Sequence, residues 1–250
     1  MNYTKEWRIL ELNGGRVEQG QTFTFRLPPA TSYTDAQIDD YGGRGGIFHW
    51  RPGSTLSLRA RFSHDAASLR GTAGFGFWNA PYGDPSRRRP ALPQAAWFFF
   101  GSTPSDLPFG PGKPGCGWFA ATIDAGAPAA LALLPLAPAV LLLNQFAAVQ
   151  QRVWPAVRRQ LGISAASLSA DITAWHDYQL EWQADRTIFL VDGAIILETP
   201  QSPRGPLGFV CWLDNQYLIL TPRGRFRAGT LVIAAEQWME IGELRLEPGD

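Results

Sequence analysis

The stretch WHDYQLEWQADRTIFLVDGAIILETPQSPRGPLGFVCWLDNQ, residues Trp175–Gln216, decides the predicted fold. Tyr178–Thr199 predicts two or three consecutive antiparallel strands, and Asp192-Gly193 is a strong signal for a hairpin between two of them. Upstream, apolar and polar residues alternate along Thr22–Leu27 and Thr55–Ser63. Gly71–Asn79 and Ala95–Ser102 are continuous apolar runs, which predict strands covered on both faces. About a dozen such strands without alternating helices predict an all-β, two-sheet antiparallel sandwich or jelly roll.

One segment, residues 128–162, departs from this pattern. No charged residue occurs from Ala125 to Gln151. Apolar residues at the three- and four-residue spacing of a helix are Leu142, Phe146, Val149, Val153 and Val157. We therefore expect an apolar helical insertion, kinked at Pro155 and ended by Gly162, within a single domain that spans residues 1–250. It could cover a cleft, contact a second copy of the chain or another partner, or lie on a membrane surface.

The composition excludes several classes of function. The 250 residues carry 22 basic and 22 acidic side chains, and this zero net charge argues against nucleic-acid binding. Two cysteines and three histidines predict neither a disulfide framework nor a metal site, and no cofactor is expected. The amino terminus lacks the apolar core of a signal peptide, which predicts a cytoplasmic protein.

A family resemblance rests mainly on Trp175–Gly193. The residues that carry it are Trp175, His176, Tyr178, Glu181, Trp182, Ile188, Phe189, Val191, Asp192 and Gly193. In this pattern the chain resembles the laminarinase-like, concanavalin A-type sandwiches of glycoside hydrolase family 16. The resemblance implies a sandwich with a concave cleft, and it matches Pro93–Ser102 to the family's catalytic strand.

The resemblance does not extend to the family's catalytic motif. Family members carry E-x-D-x-(x)-E on that strand, and retaining hydrolysis needs two carboxyl groups about 5–5.5 Å apart. The stretch PQAAWFFFGS, Pro93–Ser102, contains no carboxylate. We therefore do not expect standard retaining hydrolysis.

Candidate site residues follow from strand alternation. In GFVCWLDNQ the face with Phe209, Cys211 and Leu213 is wholly apolar, so Trp212 and Asp214 should face the cleft. Asp214 is the predicted acid or base if the protein is an enzyme. The predicted ligand-binding residues are Trp212, Asn79, Trp97, Trp78, Asn215 and Trp118, and Trp50 is a further candidate for the cleft wall.

These residues leave three functions open. The first is a carbohydrate ligand bound in an aromatic, concave cleft, because pyranose rings stack on aromatic side chains. The second is an intracellular binder, isomerase or cyclase for an apolar small molecule in the same cleft. The third is a module that docks to a partner or a membrane surface through residues 128–162.

Overall fold

The computed structural model describes residues 7–42, 48–81, 91–109 and 115–249. Two seven-stranded antiparallel sheets stack face to face, and a two-stranded hairpin lies outside them. The all-β, two-sheet sandwich with a helical insertion that the sequence predicts is confirmed.

In both sheets the spatial order of the strands differs from their order in the sequence. The first sheet runs β1 (Arg8–Leu12), β4 (Asp35–Asp39), β13 (Gly208–Asp214), β6 (Thr72–Trp78), β7 (Gln94–Gly101), β8 (Gly117–Asp124) and β9 (Ser164–Leu168). The second runs β12 (Ala194–Thr199), β11 (Thr187–Val191), β10 (His176–Trp182), β5 (Thr55–Phe62), β16 (Gln237–Glu247), β3 (Phe23–Leu27) and β2 (Arg16–Gln19). The hairpin consists of β14 (Gln216–Leu220) and β15 (Phe226–Thr230).

The core between the sheets is rich in aromatic rings. Phe98 of β7 has ring contacts with Phe75, Tyr178 and Phe189, at centroid distances of 5.5, 5.0 and 5.3 Å. Because these rings come from both sheets, their burial holds the two layers together. Trp182, Phe189 and Val191, three of the residues that carry the family resemblance, all lie in this cluster.

The turn at Asp192-Gly193 has the conformation that its sequence predicts. Asp192 and Gly193 both have positive φ, at 50° and 77°, as a type I′ turn requires. Val191 pairs with Ala194 across the turn, so β11 and β12 form a tight hairpin.

The insertion consists of three helices, α1 (Pro128–Leu133), α2 (Ala137–Leu143) and α3 (Ala147–Gln160), with a short 3-10 turn between the first two. Gly162 ends α3 with a φ of 64°, as predicted. The amide groups of Gly162 and Ile163 donate to the carbonyl oxygens of Arg159 and Arg158, which is the Schellman arrangement.

The predicted apolar stripe of the insertion is offset from the buried face that the structure shows. Leu142 and Phe146 are exposed, and the buried side chain of α3 is Trp154. The reason is the break between α2 and α3, since residues on two separate helices cannot continue one stripe. Within the described ranges, no helix is long and apolar enough to cross a membrane.

Removing the Phe98 ring should destabilise the sandwich strongly. Phe98 is fully buried between the sheets, so Phe98→Ala should lower the free energy of unfolding by about 3–5 kcal/mol. Phe226, on the hairpin, is 68% exposed and provides the matched control, for which we expect a change within about 0.5 kcal/mol. Urea unfolding measures both, and equal losses would contradict this account of the core.

Candidate functional site

Strand alternation divides the first sheet into a core face and an outer face. On β13 the side chains of Phe209, Cys211 and Leu213 enter the core, as predicted, and Trp212 belongs to a second apolar cluster. The ladder pairs Trp212 with Gly74 of β6, and Gly74 with Phe99 of β7. Residues on neighbouring strands thus form rows across the outer face, which we describe as the candidate site.

Four rings on this outer face form a continuous surface, the aromatic platform: Trp78, Trp97, Phe99 and Trp212. Trp78 and Trp97 stack at 4.5 Å with an interplanar angle of 27°. Trp97 also contacts Trp212, at a centroid distance of 5.5 Å. Trp78 and Trp97 are partly exposed, whereas Trp212 is buried, so among the described residues the more open end of the platform is the one that carries Trp78.

Glycines on β6 make room for the platform. A Cβ atom at Gly74 would lie 2.7 Å from the Trp212 ring and 2.3 Å from the Phe98 carbonyl oxygen. A Cβ atom at Gly76 would lie 2.6 Å from the Trp97 Cβ. The indoles of β7 and β13 therefore lie over a strand that has no side chains at these two positions.

The chain itself covers the inner end of the platform. Phe109 contacts the rings of Phe99 and Phe119, at 6.0 and 5.0 Å. Leu107, from the same loop, and Leu218, from β14, pack into the same cluster. A ligand on the outer face would therefore reach Trp78 and Trp97 first.

Asp214 lies on the outer face beside Trp212, as the alternation predicts. Its Oδ1 atom accepts hydrogen bonds from the Thr72 hydroxyl at 2.8 Å and from the amide groups of Thr72 and Gln216 at 3.2 and 2.9 Å. Burial raises the pKa of Asp214 to about 6, against these hydrogen bonds, which lower it. The Asp214 carboxylate is therefore buried, and its Oδ1 atom is hydrogen-bonded to Thr72 and Gln216.

Thr72 links this carboxylate to the platform. Its hydroxyl donates to Asp214 and accepts from the indole Nε1 of Trp212 at 3.0 Å. The hydrogen-bond partners of Asp214 are thus Thr72 and Gln216. Asp214 is therefore joined to the Trp212 ring by two hydrogen bonds that share the Thr72 hydroxyl.

A second carboxylate, which the sequence reasoning missed, lies opposite Asp214. Asp35 on β4 is its cross-strand partner. The amide of Asn215 donates to the carbonyl oxygen of Thr34, and the amide of Asp40 donates to that of Phe209. Because hydrogen-bonded and non-hydrogen-bonded pairs alternate along an antiparallel ladder, Asp35 and Asp214 form a non-hydrogen-bonded pair, in which the side chains are closer together. The missed signal was Asp-Ala-Gln-Ile-Asp, residues 35–39, whose period-two alternation is typical of a half-buried strand.

Tyr33 adjoins this carboxylate pair. Burial raises the pKa of Tyr33 well above its ordinary value, and the carboxylates of Asp35 and Asp214 raise it further. The tyrosine is thus a neutral hydroxyl at ordinary pH. Two carboxylates and a tyrosine hydroxyl therefore lie close together at the inner end of the platform.

Several predicted site residues have structural positions instead. Trp118 lies in the core between the sheets, with its ring 5.4 Å from Phe62 and 5.6 Å from Phe75, so its prediction as a ligand contact is corrected. Trp50 lies in the same core. The physical reason is register, since Trp118 pairs with Phe100 and shares its inward face.

The two predicted asparagines bind the main chain. Asn79 donates to the carbonyl oxygen of Leu92 and accepts from the Gln94 amide, which ties the ends of β6 and β7 together. Asn215 is fully buried and donates to the carbonyl oxygens of Ser32 and Leu231. Their side-chain amides are thus occupied by backbone groups, in place of the predicted ligand contacts.

Comparison with solved structures places the fold among carbohydrate-active sandwiches. An endo-β-galactosidase from Clostridium perfringens that releases GlcNAcα1-4Gal has a TM-score of 0.54 at 12% identity, covering 98% of this chain and 58% of that one. The endo-β-1,4-glucuronan lyase of the fungus Trichoderma reesei has a TM-score of 0.51 at 12% identity, covering 98% and 92%. The Crh5 transglycosylase in complex with NAG has a TM-score of 0.51 at 10% identity, covering 100% and 81%.

The chain has the concanavalin A-like sandwich fold. At these identities the likeness shows the fold alone. No protein-family model matches the chain, and no curated protein matches it in sequence.

Asp214→Asn should stabilise the protein above about pH 6 and leave it unchanged near pH 4. The pKa of Asp214 is raised from 3.8 to about 6, so the folded state binds more protons than the unfolded state between these values. The wild type therefore loses stability as the pH rises through this interval, by about 3 kcal/mol, and the amide removes that loss.

Urea unfolding of both proteins at about pH 4 and pH 8 measures this difference. Asp185→Asn, in the exposed turn after β10, is the control and should keep the wild-type pH dependence. An Asp214→Asn variant less stable than the wild type at the higher pH would contradict this prediction.

Proposed function

We propose that the protein binds a carbohydrate on the outer face of the first sheet. The observation that carries the proposal is the aromatic platform, with the stacked and partly exposed Trp78–Trp97 pair at its open end. Pyranose rings present C–H groups that pack on indole faces, and the rigid rings lose little conformational entropy on binding.

The site does not support standard retaining hydrolysis. On β7 the outer-face side chains are Ala95, Trp97 and Phe99, followed by Gly101, and none can act as nucleophile or acid. For turnover, the proposal leaves Asp214 as the acid or base, with a pKa of about 6 and with Asp35 opposite. Binding is therefore the primary function proposed, and any chemistry would take place at the inner, acidic end of the platform.

The solved structures agree with this choice of ligand. The endo-β-1,4-glucuronan lyase and the endo-β-galactosidase that releases GlcNAcα1-4Gal share the fold across nearly the whole of this chain. That agreement is one of architecture, so the ligand class rests on the platform itself.

Truncating Trp97 should weaken carbohydrate binding. Screening β-glucans, β-galactan and polyuronates by thermal shift identifies a ligand, and calorimetry then gives its affinity. Trp97→Ala should lower that affinity by about 1–3 kcal/mol through lost stacking. Trp175→Ala is the matched control, because Trp175 is also half-buried but contacts Arg59 and Arg61 of the second sheet.

These measurements distinguish a carbohydrate ligand from an apolar small molecule. Equal loss in both tryptophan variants, or binding that survives Trp97→Ala, would contradict the proposed site. A thermal shift with lipophilic compounds and none with any glycan would favour the apolar small molecule instead.

A further inference from the structure

We propose that the helical insertion and the β14–β15 hairpin together form a surface that docks on an anionic lipid bilayer. We call residues 128–162 and 216–230 the outer layer. The proposal is independent of the carbohydrate site, because it concerns exposed side chains that are not part of the aromatic platform.

The insertion exposes an unusual number of large apolar side chains in a short stretch. Between residues 131 and 146 the exposed ones are Leu131, Leu134, Leu136, Leu141, Leu142, Leu143 and Phe146, with exposed fractions between 43% and 66%. Phe226, on the hairpin, is 68% exposed. A patch of this kind marks an interaction surface, since a solvated loop gains nothing from it.

The hairpin turn is joined to the insertion by hydrogen bonds. Nδ2 of Asn144 donates to the Pro222 carbonyl oxygen at 2.9 Å, and Nε2 of Gln145 donates to that of Arg223 at 2.9 Å. Nε of Arg223 in turn donates to Oε1 of Gln150 at 3.2 Å. The apolar helices and the arginine-rich turn therefore belong to one surface.

The outer layer carries positive charge and no negative charge. Its charged residues are Arg152, Arg158, Arg159, Arg223, Arg225 and Arg227, and it contains neither Asp nor Glu. In a chain whose net charge is zero, the layer has six positive charges and the remainder has six negative ones. No ion pair of these arginines is present in the part of the chain that the structure describes.

This positive charge favours an anionic bilayer over a second copy of the chain as the partner. In a symmetric dimer the same surface would face itself, so arginines would meet arginines with no carboxylate between them. An anionic bilayer offers an apolar interior for the leucines and headgroup phosphates for the arginines. The helices α1 and α2 have only six and seven residues, which suits a position in the interface.

Sedimentation with vesicles tests the proposal. The full chain should sediment with vesicles of equimolar phosphatidylcholine and phosphatidylglycerol, and should stay in solution with phosphatidylcholine alone. Leu142→Ser with Phe146→Ser, and separately Arg223→Glu with Arg225→Glu, should each lower the partition coefficient at least about tenfold. Ile195→Ser and Arg16→Glu, at exposed positions of the second sheet, are the matched controls and should bind like the wild type.

Two results would overturn the proposal. The first is a wild-type protein that is folded by circular dichroism and stays in solution with anionic vesicles. The second is vesicle binding that survives the serine substitutions. Concentration-dependent dimerisation that the serine variant abolishes would assign the surface to a second copy. Loss of a polyuronate ligand in the arginine variant, without vesicle binding by the wild type, would assign it to an acidic polysaccharide.

Discussion

The two-residue period of β13, β6 and β7 determines both the core and the candidate site. One face of these strands supplies Phe75, Phe98 and Cys211 to the interior, and the other supplies Trp97, Phe99 and Trp212 to the aromatic platform. A shift of one residue in any of these ladders would exchange the two sets, so packing against the second sheet also fixes the platform. Glycine at positions 74 and 76 completes this constraint, because a Cβ atom at position 74 would meet the Trp212 ring and one at position 76 would meet the Cα and Cβ atoms of Trp97.

The same alternation explains how much of the site could be predicted. On β13 one face is wholly apolar, so the outward direction of Trp212 and Asp214 followed from the sequence. Trp118 could not be placed, because β8 has apolar residues on both faces and its direction depends on pairing with Phe100. Asp35 was missed for a different reason, since its strand pairs with β13, which lies far along the chain. Side-chain hydrogen bonds such as Thr72–Asp214 depend on that long-range register as well.

Positive and negative side chains are concentrated in different regions of the protein, although its net charge is zero. The platform has carboxylates at its inner end, where Asp35 and Asp214 face each other, whereas the outer layer has only arginines. The hairpin connects the two regions, because β14 follows Asp214 and its turn contacts the insertion. The two regions for which ligands are proposed therefore differ in the sign of their charge.

The most direct test of the platform is the indole resonance of Trp97 during titration with a saccharide that the protein binds. The account predicts that the Nε1–H signal of Trp97 shifts on binding and that the signal of Trp175, on the second sheet, keeps its position. Saturating saccharide that leaves the Trp97 signal unchanged while the Trp175 signal moves would contradict it.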